Sequence, residues 1–244
     1  MLSHREFLTK TPGILTVSIY PNFFPIAYQD DNEYKGLDVD IITLFARAAN
    51  FQIIFKPKVN FNDIWFDPIR GVSDVSIGGI GISPERTTAE TSWTLPYFYV
   101  ERTIVYNKKD PIIKFPADVN RTILGVPAST GFIDGKLKLQ AVNKSHYLLG
   151  SNNDKDDIER LRNGSVQGLL RGSFVAKAIV EEYPNELGMT NPWKIDPNLV
   201  SSDGEVFAFP CYNRSGIAVG LSSYLIYLKC GGILDELLQK YGLL

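Results

Sequence analysis

Between residues 14 and 82 the chain alternates β-rich apolar runs with stretches at helical spacing, and the same alternation then begins again. "ILTVSIY" (14–20) reads as a strand, and "LDVDIITLFARAAN" sets Ile41, Leu44, Phe45 and Ala48 at helical spacing. "FQIIFKP" (51–57) is a second strand, a short helix is expected over 61–70, and "SDVSIGGIGI" is a third strand. A β-α-β-α-β order of this kind requires parallel strands joined by crossovers. After "RTIVYNKK" (102–109), the strands "RTILGVP" (121–127), "SHYLLG" (145–150) and "SVQGLLR" (165–171) repeat the plan, with helices at 154–164 and 173–183. The tail adds a strand, "EVFAFP" (205–210), and helical segments over 222–241. That tail is too short to stand alone and is expected to return to the first lobe. The fold class is therefore α/β, a two-lobed hinged clamshell in which each lobe is a mainly parallel sheet flanked by helices. Lobe 1 is read as 1–107 plus 208–244 and lobe 2 as 108–207, with crossings near 106–110 and 203–208.

Composition narrows the partners. The 244 residues are 44% hydrophobic and 21% charged, which suits a protein that buries a full core. A formal net charge of -2, with no basic stretch interleaved with aromatics, argues against nucleic acid. The richest apolar run, "YLIYLKCGGIL" (224–234), is interrupted by Lys229 and two glycines and is too short to span a bilayer. "MLSHREFLTK" carries charges where a signal peptide's apolar region would lie, so either the protein is cytoplasmic or a signal has been removed. Cys211 and Cys230 are too few for a disulfide scaffold; they are either one bridge or two thiols. A monomer is expected.

The stretch with most chemistry is "GGIGISPER" (78–86). Glycine weakens a strand unless something approaches its backbone, and ligands of open parallel sheets bind outside the carboxyl ends of the strands. The run therefore points to a ligand cleft between the lobes. Arg86 there offers a planar, two-pronged donor suited to a carboxylate.

These residues resemble the polar-amino-acid solute-binding proteins of bacterial ABC importers. The likeness rests on "GLDVDIITLFARAANFQIIFKP" and "DVSIGGIGISPERTTAETSWTLPYF", and extends to "GVPASTG" and "GGILDELLQKYG". It implies the type II periplasmic-binding-protein fold, an extracytoplasmic location and a membrane permease as partner. It also implies that Arg86 binds the ligand carboxylate and that Gly79, Gly81 and Ser83 face the ligand. On the same grounds Phe61 covers the ligand, Tyr20, Phe23 and Phe24 form an N-terminal ligand loop, and Ser129, Thr130 and Gly131 donate to the carboxylate from lobe 2. Two departures stand out. Where relatives that bind α-amino acids place an ammonium-binding Asp, this chain has Gly172 preceded by Arg171, and an acidic position after the first strand is Tyr20. Arg171 is thus a candidate cleft residue, and the ligand is expected to carry more negative charge than an ordinary amino acid.

No cofactor or metal is expected. Two histidines, His4 and His146, leave little for a metal cluster or a Ser-His-Asp triad. The 125–131 turn is one residue too long for a phosphate loop, and Phe132 stands where the lysine would be. The leading reading is the solute-binding component of an ABC importer that takes a small carboxylate. The alternatives are an enzyme resembling cyclohexadienyl dehydratase on the same fold, or the ligand-sensing domain of a receptor.

Overall fold

The computed structural model describes residues 3–111, 113, 116–127, 130–151, 153–192 and 206–244. The chain forms two compact units, Met1–Phe98 with Val206–Leu244, and Tyr99–Glu205.

In the first unit β1 (Ile14–Ile19) leads through β2 (Asn22–Phe23), β3 (Ala27–Asp30) and β4 (Glu33–Lys35) to α1 (Leu37–Ala49). Then come β5 (Gln52–Pro57), β6 (Val75–Ile77), β7 (Thr91–Trp93) and β8 (Phe98–Tyr99). The apolar stripe of α1 buries Leu37, Ile41, Ile42, Phe45 and Ala49. The helix stops where Asn50 turns left-handed at φ 58° and its N–H reaches back to the Ala46 carbonyl.

The second unit contains β9 (Arg102–Asn107), β10 (Ile123–Gly125), α2 (Thr130–Ala141), β11 (Leu148–Gly150) and α3 (Asp154–Arg162). It continues through β12 (Gly168–Gly172), α4 (Ser173–Glu182) and β13 (Leu187–Met189). The chain then re-enters the first unit with β14 (Val206–Phe207), β15 (Pro210–Tyr212), α5 (Ile217–Cys230) and α6 (Ile233–Lys240).

The main sheets run β5-β1-β6-β15-β7 and β11-β10-β12-β9-β13. Each has one strand antiparallel to its neighbours, β15 in the first and β9 in the second. In both, the first β-α-β strand lies between the second and the third. The two sheets thus share one topology. The core of the first lies around Leu15, Val17, Ile19, Phe45 and Ile77, that of the second around Val105, Leu124, Leu169 and Leu187.

Several expectations change. Residues 102–107 are not part of the first lobe, because β9 is hydrogen-bonded between β12 and β13. The first passage between units falls at 98/99, not at 106–110. Of the second expected crossing, residues 203–205 lie outside the described residues. The third strand ends at Ile77, because Gly78 and Gly79 take positive φ of 131° and 67°. The helix expected over 61–70 is a single 3-10 turn, Ile64–Phe66, and the strand expected from 145 begins only at Leu148, after another such turn. The tail does return to the first unit, where β15 separates β6 from β7. Both cysteines are free thiols, Cys211 buried and Cys230 exposed, so the possible bridge is absent. No single helix among the described residues is long and apolar enough to cross a membrane.

Candidate functional site

In the first unit, loops leaving the carboxyl ends of three adjacent parallel strands converge. Tyr20 directly follows β1 and its N–H donates to the carbonyl of Ile77, the last residue of β6. Phe61 and Trp65 lie in the segment after β5, and the glycine-rich run follows β6. Tyr20 and Phe61 meet edge to face at 5.4 Å between centroids, and Phe61 and Trp65 at 5.7 Å.

Arg86 closes this cluster. It ends a 3-10 turn, Pro84–Arg86, and is 5% exposed. Its guanidinium carbon lies 4.4 Å from the Trp65 ring centroid and 5.5 Å from that of Phe61. Nη1 donates to the Gly81 carbonyl at 2.9 Å, and the Arg86 backbone N–H donates to the Ser83 carbonyl. Aromatic faces attract a cation and offset part of its desolvation. The arrangement holds a planar cation at the carboxyl edge of the sheet, the place where such sheets bind ligands.

Asp38 sets the turn before it. This buried carboxylate, in the first turn of α1, accepts from the N–H groups of Gly78 and Gly79 at 2.8 and 2.9 Å and from the hydroxyl of Tyr97. Burial pushes its carboxyl up to about 6, against the lowering pull of the three hydrogen bonds. Burial, with the Asp38 charge beside it, also drives the Tyr97 hydroxyl well above its ordinary range. A side chain at Gly79 would meet the Phe23 ring at 2.5 Å, and one at Gly78 would meet Tyr20 at 2.9 Å. The two glycines therefore serve a positive-φ turn packed under aromatic rings, and both amides are committed to Asp38.

In the second unit, the equivalent edge is formed by the end of β10, the start of α2, the end of β12 and the start of β9. Arg102 opens β9, pairs in register with Gly172 and is 5% exposed. Its side chain lies so close to Gly131, in the first turn of α2, that a side chain there would overlap it. Gly172 is also tight: a side chain would meet Val100 at 3.1 Å and Phe174 at 3.2 Å.

Arg171 has a different task. Its Nε and Nη2 donate to Asp154, Nη2 also to Asp157, and Nη1 to the carbonyls of Leu124 and Leu170. Both Arg171 and Asp157 are buried, so this arginine fastens α3 to the sheet.

The sequence matches the family described as "Bacterial extracellular solute-binding proteins, family 3" over residues 15–241. The chain belongs to this family. No curated protein matched this solute-binding protein. Among solved structures it is similar to an ancestral arginine-binding protein bound to arginine, with 23% identity, 94% of this chain and 98% of that chain covered, and a TM-score of 0.76. A second is the amino acid ABC transporter substrate-binding protein AbpA of Streptococcus pneumoniae bound to L-arginine, with 22% identity, 94% of each chain and a TM-score of 0.76. A third is the GluR0 ligand-binding core in complex with L-glutamate, with 16% identity, 93% of this chain and 97% of that chain, and a TM-score of 0.77. At these identities the likeness establishes the fold.

Of the residues read from the sequence of this solute-binding protein, Tyr20, Phe61, Gly81, Ser83 and Arg86 form one neighbourhood in the first unit, with Gly79 and Phe23 on its glycine turn. Phe24 does not share it: the ring is 61% exposed and packs on Tyr28. Thr130 opens α2 and Gly131, in its first turn, lies beside Arg102, while Ser129 lies outside the described residues. The cleft role expected of Arg171 is corrected, since carboxylates and carbonyls of its own unit take its donors. Sequence reasoning missed Trp65, Asp38 and Arg102. Trp65 follows Phe61 by four residues in "FNDIW", Asp38 reads equally well as a helix-dipole residue, and Arg102 opens an ordinary strand pattern.

Proposed function

We propose that this solute-binding protein captures a small carboxylate-bearing solute of the amino-acid class outside the cytoplasm and hands it, as a monomer, to the membrane permease of an ABC importer. The observation that carries the reading is the buried Arg86 guanidinium at the carboxyl edge of the first sheet, set among Trp65, Phe61 and the Gly81 carbonyl. A guanidinium held there gives a carboxylate charge-assisted, directional hydrogen bonds. The amino-acid class is supported by similar structures that hold arginine or glutamate. The role is binding without chemistry, so a bound solute is released unchanged.

Charge refines the class. The second unit brings Arg102 to its own carboxyl edge, and position 172 there is glycine rather than a carboxylate. A buried ammonium or guanidinium of a solute needs an anionic partner. The reading therefore favours acidic amino acids and dicarboxylates over cationic ones. A thermal-shift panel of L-glutamate, L-aspartate, their α-carboxamides, succinate, L-lysine and L-arginine tests it. The largest stabilisation is expected from the acids. Stabilisation by lysine or arginine alone would overturn the preference, and equal stabilisation by carboxamide-blocked amino acids would overturn the carboxylate reading.

A further inference from the structure

We propose that Trp65 is a positioning residue for solute binding, its indole holding the Arg86 guanidinium in the orientation that receives the solute carboxylate. The inference rests on the reading of Arg86 as the carboxylate's partner and adds the residue that makes it effective. Three observations support it.

The indole is the aromatic ring nearer the cation, at 4.4 Å against 5.5 Å for Phe61. The indole itself is braced, edge to face, by Phe61 at 5.7 Å and Phe66 at 5.9 Å. The turn that carries it is stapled to the sheet from two sides. Ser76 of β6 donates to the Ile64 carbonyl at 2.7 Å, and Ser18 of β1 donates to the buried Asp67 carboxylate at 2.7 Å. Ile64 is fully buried beneath the turn. Trp65 is therefore fixed to β1 and β6, two of the three strands whose carboxyl ends build the site.

A fixed indole does two things for Arg86. Its negative π-face attracts the cation electrostatically and holds it against the ring. It also occupies one side of the guanidinium while the Gly81 carbonyl takes Nη1, which limits how the group can turn. Preorganisation of this kind raises affinity by lowering the ordering cost on binding.

The test separates electronic attraction from shape. In a Trp93→Phe, Trp193→Phe background, Trp65 becomes the sole tryptophan and is replaced biosynthetically by mono-, di- and tetrafluorotryptophan. Fluorine withdraws density from the ring face and changes its volume little. Affinities for L-glutamate, L-glutamine and L-arginine are measured by calorimetry, beside Trp65→Phe, Trp65→Leu and Arg86→Ala, and the tightest of the three is followed through the series. The upfield ring-current shift of the Arg86 Hε resonance is recorded without solute.

We expect affinity to fall stepwise with fluorination, by roughly 3- to 30-fold at the tetrafluoro ring. Trp65→Phe should retain most of the affinity, and Trp65→Leu should lose at least as much as the tetrafluoro ring and cut the Hε shift to the smaller part that the more distant Phe61 ring supplies. If Arg86→Ala weakens binding while the fluorinated series is flat, the Trp65 inference fails and the site reading stands. If Arg86→Ala leaves affinity unchanged, both fail. An Arg86 Hε resonance unshifted in the parent protein overturns the inference even where none of the three amino acids binds. Should Trp65→Leu not fold, the fluorinated series decides.

Discussion

Three buried arginines among the described residues show how little a residue type says about its task. Arg86 lies against aromatic rings at the edge of one sheet, and Arg102 lies against Gly131 at the edge of the other. Arg171, one residue before Gly172, turns the other way and binds Asp154 and Asp157. Along a strand successive side chains face opposite ways, so moving by one residue exchanges a ligand edge for a structural ion pair. Replacing Arg171 by alanine would leave Asp157, 1% exposed, as a buried carboxylate with Ser151 as its remaining side-chain donor. Breaking such a pair costs about 3–5 kcal/mol, which for a chain of this size lowers Tm by about 10 °C. Solute affinity should stay within about twofold. A tenfold affinity loss with an unchanged melting temperature would return Arg171 to the site.

At the scale of elements, α1 and the turn after β6 are coupled by Asp38, and this coupling carries a pH dependence with a definite sign. The buried carboxyl titrates near 6, above its ordinary 3.8, so the folded protein holds this proton more tightly than the unfolded chain. The stabilisation it gives is complete below pH 4 and is lost as the pH rises through 6, amounting to about 3 kcal/mol. Asn at position 38 keeps an acceptor for the glycine amides and removes the titration. Urea midpoints at pH 4 and 7.5 should therefore show the parent losing stability relative to Asp38→Asn across that rise. Parallel behaviour of the two proteins would contradict the burial argument. The elements themselves were legible in the sequence where periodicity was strong: β1, α1, β5, α3 and α4 lie within a residue or two of their expected bounds. The rest was hidden for physical reasons. Nothing local tells β9 which sheet to join, since that is decided by long-range pairing with β12 and β13. The β2-β3-β4 meander is built from short polar strands with no apolar alternation to betray it. Arg86 was legible because glycine, proline and arginine together are unusual after a strand. Trp65 was not, because an aromatic beside Ile64 and Phe66 reads as core.

For the whole molecule, each main sheet inserts an antiparallel strand next to its third parallel one, and in the first sheet that strand arrives only after the second unit is complete. The first unit is discontinuous in sequence, the second is not. Ending the chain after residue 205 would remove β15, expose the facing edges of β6 and β7, and strip α5 and α6 from α1. Unpaired sheet edges aggregate. Such a truncated chain is expected to be largely insoluble, with no cooperative melt of the first unit by circular dichroism, and a soluble product melting like the full chain would refute the topology. The central claim, that Arg86 binds the carboxylate of a small solute, is tested most directly by calorimetric titration of the folded parent, Arg86→Ala and Arg86→Lys with L-glutamate. The account predicts a loss of roughly 2–5 kcal/mol for alanine and a partial loss for lysine, which keeps the charge but not the planar fork. Equal affinity in the parent and Arg86→Ala would contradict it.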